Sequence, residues 1–495
     1  LVSDITSAGA PNGLVNIGSI ATAGYVTTGD EIRISNTSAT QFGALGAPTG
    51  SVLSCHASAL SPTSMRFAMT EVTGVAQVKI AYSTSQASNG LPATPTYFAT
   101  PATVDAYGTA QLTVTGLTAG TRYYFAVANT SNVIFGGACS APTLPAANTD
   151  VTLKFAQWSC QTTGKTESDA AWQSITAYAP DIICGQGDFH YGGGTFSPSS
   201  SLDTHIGKVT TQLARIPSMN FALSQASVYE QISDHEVAGD GQYEIDDPDN
   251  PGSKIYGPWA DQLAIFAANS TIFRLVRPVV YADGTGRGRY FYVDLIRNKP
   301  SAGTSVRMFF TDERTQDTSD GRDADGAGKT KLGAPQKAWL AANLLSTGYN
   351  MVFMESTISW TGANSNIDKW SNYWTDLTTG LAPLFASKPV DVFSGDRHML
   401  AFNDHSQNTM MPTVDNLVAS AVEMFGLGVS AQEQYKDSGG ATQTFGYADN
   451  GILKRQYGRI TVHDDNAGHI TRVWTGYDAI TDAAVLGPFT RNLTY

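Results

Sequence analysis

Basic residues are scarce in this chain. Lys and Arg total 30 against 43 Asp and Glu, and the formal net charge is −13. That balance argues against the basic surface by which proteins hold nucleic acid. It leaves room for an anionic small substrate, because bound cations reverse the local field. Long hydrophobic runs are also missing. No stretch approaches the roughly 18 apolar residues of a membrane span, so no transmembrane segment is expected. The sequence starts at Leu1 without the charged and apolar regions of a secretory leader. The expectation is that any leader has been removed and that the chain is secreted, periplasmic or displayed on a cell surface. Cysteine is limited to four residues, too few for a disulfide scaffold. Cys55 and Cys139 lie in loop-like sequence, where a pair and two separate thiols are both open readings. Cys184 sits in the apolar run DIIC and reads as core.

What is present changes character along the 495 residues. Residues 1–60 are rich in Gly, Ser, Thr and Ala and read as an irregular, β-rich N-terminal extension. From 61 to 149 the residues alternate with a period of two, as in QVKIAYST and AQLTVTGLTAGTRYYFAVAN. That is the pattern of half-buried strands and predicts a small antiparallel β-sandwich similar to a fibronectin type III domain. From 150 to 495, strand-like runs such as VTLKFAQW, PDIICGQGD, VRMFFTDER, YNMVFMES and VDVFSGD alternate with helix-like ESDAAWQSITAY and PQKAWLAANLL. Such alternation predicts an α/β domain. Within it, SMNFALS (218–224) reads as a further strand, and the tail from 457 returns to β.

Polar residues gather where those strands end. SCQ carries Cys160, and GDFHY carries Asp188 and Tyr191. SDHEV carries Asp234 and His235, FFTDER carries Asp312 and Arg314, and SGDRH carries Asp396 and His398. The C-terminal ends of strands are where open α/β sheets place ligands. Thiolate, phenolate and imidazole suit a transition metal such as Fe(III), and carboxylates suit a hard ion such as Ca²⁺. The expected site is therefore mixed. Cys160, Asp188, Tyr191 and His398 hold an iron-like ion, and Asp188, Asp234 and Asp396 hold a calcium-like ion. Asp188 is the bridge. Two ions about 3.5–4 Å apart suit in-line phosphoryl displacement by a metal-bound hydroxide. His235 is then the general acid, and Arg314 a bidentate contact for phosphate oxygens. His190 reads as an exposed loop histidine, and Trp370 and Trp374 as core or lid packing.

In order, SCQ, GDFHY, SDHEV, LGAPQKAWL (332–340) and SGDRH resemble the motifs of the PhoD-like alkaline phosphatase and phosphodiesterase family, within the calcineurin-like metallophosphatase superfamily. The resemblance is specific between 151 and 465. It implies a two-layer ββ sandwich metallophosphatase core flanked by helices. It also implies Fe³⁺ and Ca²⁺ as cofactors, export, and a phosphate mono- or diester as substrate. Ser233 precedes Asp234 where the family usually carries an acidic residue. A competing reading is a cell-surface structural protein that keeps a phosphatase-like domain and self-assembles through residues 1–60. The GAGKT stretch (326–330) is no phosphate loop, because Asp323 stands where that pattern needs Gly.

Overall fold

The computed structural model describes residues 50–161, 166–191, 201–236 and 455–495 without a break, and shorter segments between 244 and 449. Residues 1–49 of the N-terminal stretch lie outside the described residues. The sandwich is built from β1 (Ser54–Ser61), β2 (Ser64–Thr70), β3 (Gln77–Ser83), β4 (Thr96–Tyr97), β5 (Ala102–Thr103), β6 (Ala110–Thr115), β7 (Arg122–Ala128) and β8 (Ile134–Pro142). One layer is β1-β2-β6 and the other β4-β3-β7-β8, with β5 on β3. The period-two pattern sends Phe67, Ile80, Val114, Phe125 and Val127 inward, and the Phe67 and Phe125 rings meet edge-on at 4.7 Å. Tyr123 closes the end by accepting the Thr118 N–H at 2.9 Å. The sandwich starts earlier than the expected boundary at residue 61, since β1 ends at Ser61.

β1 explains that difference. Its Cys55, Ala57 and Ala59 face the sandwich core, but the alternate residues do not face water. Ser54 bonds Thr70 at 2.6 Å, His56 bonds Asn220 at 3.0 Å, and Ser58 donates to the Val228 carbonyl. A strand with small residues on one face and satisfied polar groups on the other carries little hydrophobic signal.

The second domain contributes β9 (Val151–Trp158), α1 (Thr166–Tyr178), β10 (Ile182–Gly185), α2 (Leu202–Arg215), α3 (Pro217–Leu223), β11 (Ser227–Glu230), β12 (Glu244–Asp246), β13 (Lys254–Tyr256), β14 (Phe291–Ile296) and β15 (Val306–Phe310). It continues with α4 (Gly333–Leu344), β16 (Met351–Ser356), β17 (Val390–Ser394), β18 (Leu400–Asn403), β19 (Val414–Ala419), β20 (Glu433–Lys436), β21 (Thr442–Phe445), β22 (Tyr447–Asp449), β23 (Gln456–Asp464), β24 (His469–Asp478) and β25 (Ala483–Thr494). SMNFALS is therefore helical in α3, not a strand. Pro217 occupies its first turn, where a missing N–H costs nothing and the fixed φ suits a helix. The strand comes one step later, as β11.

Two sheets stack. One runs β25-β24-β23-β9-β10-β11-β1-β2-β6, and the other β14-β15-β16-β17-β19-β18-β22. Between them lie Phe155, Phe310, Phe353, Phe393, Leu417, Ile460 and Trp474. Phe155 meets Phe353 at 5.9 Å and Phe393 at 6.4 Å. Truncating such a ring typically costs about 3–5 kcal/mol. α1, α2 and α3 cover the outer face of the first sheet through Trp172, Ile206, Leu213 and Met219 against Trp158 and Val228. α4 and the helical stretch around Trp370 cover the other through Leu340, Trp370 and Leu377. This is the expected α/β core: two β layers flanked by helices and preceded by a small sandwich. β9, β10 and β11 run parallel, as do β15, β16, β17 and β19, so their C-terminal ends form one rim.

The sandwich is not a bead on a string. β1 adds to the first sheet by parallel pairing at Ala57 with Ser227. Ser140 N–H donates to the Ser224 carbonyl at 2.7 Å, and Arg122 donates to the Gln225 carbonyl at 2.8 Å.

Candidate metal centre

The loops after β9, β10, β11, β15 and β17 carry the residues singled out in the sequence. The backbone there is held in unusual conformations. Cys160, Asp188, Asp396 and His398 all have positive φ, at 62°, 55°, 65° and 51°. Each such non-glycine residue costs about 1–2 kcal/mol. Four of them at one rim, each a candidate ligand, is the pattern of strain kept for function. Two glycines make the loops fit. A Cβ on Gly187, itself at φ 87°, would lie 2.5 Å from the Ser233 Cβ. One on Gly395 would lie 2.5 Å from the Ser159 Oγ.

Two ligand groups result, and Asp188 belongs to both. Cys160, Asp188 and His398 place one donor atom each within 4.8 Å of one another, and so do Asp188, Asp234 and His235. Cys160 Sγ and Tyr191 OH each donate to Asp188 Oδ2 at 3.3 Å. Tyr191 OH also lies 3.1 Å from His398 Nε2. The structure thus gathers Cys160, Asp188, Tyr191 and His398 as one set, and Asp234 beside them. Asp396 stands on the same turn as His398 but belongs to neither group. His235, expected only as an acid, falls inside the second group, with its ring 4.0 Å from that of Tyr191.

The electrostatics fit a cation. Asp188 is buried and its Oδ1 has no hydrogen-bond partner among the described residues. Burial, the Asp234 charge and the Glu236 charge push its pKa up to about 7, against the lowering effect of His235. Tyr191 is driven well above the usual tyrosine range by burial, then by Cys160 and Asp188. Buried acceptors crowded like this keep their protons unless a metal replaces them. The donor set and the orphaned Asp188 oxygen therefore suit metal ions.

Sequence reasoning passed over the groups that hold this arrangement. Glu236, inside SDHEV, accepts four backbone N–H groups. Oε2 takes Asp188 at 3.1 Å and Ser233 at 2.7 Å; Oε1 takes Phe189, and His190 at 3.4 Å. Burial raises the Glu236 pKa, and the N–H groups of Ser233, Phe189 and Asp188 oppose that. The same knot draws His190 inward, so it is buried rather than an exposed loop histidine. Arg314 is 2% exposed and donates to Ser233 Oγ at 2.9 Å and to Asp234 Oδ1 at 3.3 Å. Its turn is pinned by Gln336 of LGAPQKAWL, which exchanges two 2.8 Å bonds with the backbone of Asp312. Glu313 anchors the turn from the other side, accepting from Ser356, from Thr357 at 3.0 Å and from Trp370 at 3.3 Å. Trp370 is accordingly core. Glu236, Glu313 and Gln336 each stood inside a quoted motif, but nothing in their spacing marked them as holding backbone groups rather than meeting solvent.

Comparison with solved structures agrees with this architecture. The fold is shared with solved structures of PhoD and of a purple acid phosphatase. A structure of PhoD superposes with a TM-score of 0.65 at 14% identity, covering 89% of this chain and 90% of PhoD. The purple acid phosphatase PPD1 isolated from yellow lupin (Lupinus luteus) seeds gives a TM-score of 0.54 at 10% identity, covering 89% of this chain and 74% of that one. No family model matches the sequence, and no curated protein matches it. The likeness to PhoD read from five short motifs thus holds for the fold of nearly the whole chain.

Proposed function

We propose that the chain is a metal-dependent hydrolase of phosphate mono- or diesters, of the PhoD-like alkaline phosphatase and phosphodiesterase type. The observation that carries this reading is Asp188, one buried carboxylate common to two ligand groups. Cys160, Asp188, Tyr191 and His398 are assigned to Fe³⁺, and Asp188, Asp234 and Asp396 to Ca²⁺, on the softness of their donors. When bound, such a pair supplies an acidified water and neutralises charge developing on the phosphoryl group. The chain's own groups do the rest. Glu236 and the left-handed turns fix where the carboxylates point. His235, half-buried against Tyr191, is assigned the general-acid role toward the leaving oxygen, which imidazole suits. Arg314 brings a fixed cation whose fork suits phosphate oxygens. An extracellular or periplasmic location belongs to the same proposal. Among the described residues no helix is long and apolar enough to cross a membrane.

The test is hydrolysis of p-nitrophenyl phosphate and of its bis-ester at mildly alkaline pH, with and without chelator, on protein whose iron and calcium have been assayed. Chelator-sensitive turnover is expected, and the ratio of the two rates separates monoesterase from diesterase. Protein with neither metal nor turnover would move the reading to a surface assembly protein.

A further inference from the structure

We propose that Arg314 competes with the second cation for Asp234 and thereby sets how tightly that cation is held. The inference rests on the two-cation reading above. Its basis is one shared carboxylate. Asp234 lies with Asp188 and His235 in the second ligand group, yet its Oδ1 is 3.3 Å from the Arg314 Nη2. Ser233 ties the two together, accepting from Arg314 at 2.9 Å and donating to Asp234 Oδ1 at 2.9 Å. Both partners of the ion pair are buried, with side chains 2% and 4% exposed. Arg314 is also held in place. Its own N–H donates to Asp312 Oδ1 at 3.1 Å, and Gln336 and Glu313 fix the turn on either side.

Two opposite effects follow from that geometry. Arg314 orients the carboxylate, which favours a cation on its other oxygen. Arg314 also repels that cation, and a guanidinium does not lose its charge. A divalent ion held by the other oxygen of that carboxylate would lie on the order of 6 Å from the guanidinium, given usual cation–oxygen distances. At that distance the repulsion weakens affinity about tenfold even at the dielectric of water, and more in a buried site. In the Arg314→Gln variant the charge-assisted bond to Asp234 is replaced by a neutral one rather than abolished, so the loss of orientation is smaller than the loss of repulsion. Repulsion therefore wins. An anionic phosphate beside Arg314 offsets its charge, so the cation and the anion help each other bind, reciprocally.

The experiment is calorimetric titration of Ca²⁺ into the whole chain, with and without inorganic phosphate, for wild type, Arg314→Gln and Arg314→Lys. Gln removes the charge but keeps a donor; Lys keeps the charge but loses the fork. The second site should bind Ca²⁺ at least about tenfold more tightly in Arg314→Gln and no more tightly in Arg314→Lys. Phosphate should tighten Ca²⁺ more in wild type than in Arg314→Gln. Arg314→Met, which fills the buried slot without charge, serves the same comparison if Gln does not fold. Equal or weaker Ca²⁺ binding in both uncharged variants overturns the inference and makes Arg314 a ligand-orienting group. A wild type that takes up no second cation overturns the two-cation reading itself, and this inference with it.

Discussion

Glu236 ties the loop after β10 to the loop after β11, and Glu236→Gln measures what that tie is worth. Each carboxylate oxygen accepts two backbone N–H groups, one pair from Phe189 and His190 and the other from Asp188 and Ser233. A Gln amide has one acceptor and one donor end. Whichever way it turns, its NH₂ faces two N–H donors. The variant thus loses two bonds to a charged acceptor, each worth about 1.5–3 kcal/mol, a total of about 3–6 kcal/mol. That energy holds Asp188 in its left-handed conformation at φ 55°. Thermal unfolding should shift to lower temperature, and metal content should drop along with turnover, because Asp188 serves both ligand groups. The assay is differential scanning calorimetry combined with elemental analysis of the same sample. A variant with wild-type melting and wild-type metal content would refute the claim that Glu236 organises the site.

Asp188→Asn should remove metal and activity together; elemental analysis showing full metal loading would contradict the bridging role. Gln336→Ala should unpin the Asp312 turn at a cost of about 1–3 kcal/mol by leaving buried backbone groups unpaired, read by urea titration against wild type. Glu355 lies between the sheets, with neither carboxylate oxygen hydrogen-bonded among the described residues. Burial and then the Glu230 charge hold its pKa well above the ordinary 4.5. A raised folded-state pKa stabilises fully below the unfolded value, and that contribution is lost as pH climbs through the folded value. Glu355→Gln should therefore gain stability relative to wild type as pH rises above the ordinary glutamate range, and a pH-independent difference in melting temperature would count against a protonated Glu355.

The sequence made the ligand types legible because each sits at the end of a strand whose hydrophobic run announces it. VDVF before SGDRH and IICG before QGDFHY are fully buried strands in the structure. The α/β alternation was legible for the same reason. What failed were segments whose pattern serves two masters. SMNFALS has the apolar density of a strand, and only Pro217 at its head separates that from a helix. β1 carried its polar face toward α3 rather than toward water, so residues 54–60 looked irregular.

The remaining gap lies in the backbone rather than in the side chains. Nothing in the letters Cys160, Asp188, Asp396 and His398 says that all four adopt positive φ. That strain exists only because distant groups over-determine it: Glu236 on the loop at 188, and Gly395 packed onto Ser159. Glu236 binds main-chain N–H groups, which every residue but proline has, so the residue types at 188–190 could not have announced it. The same holds for Gln336 on the backbone of Asp312. Metal ligands are chosen for their chemistry and can be read as such. The residues that aim them are chosen for a three-dimensional address, and one sequence does not print it. Mutations at Glu236 or Gln336 should therefore disturb the centre without touching any atom proposed to meet a cation.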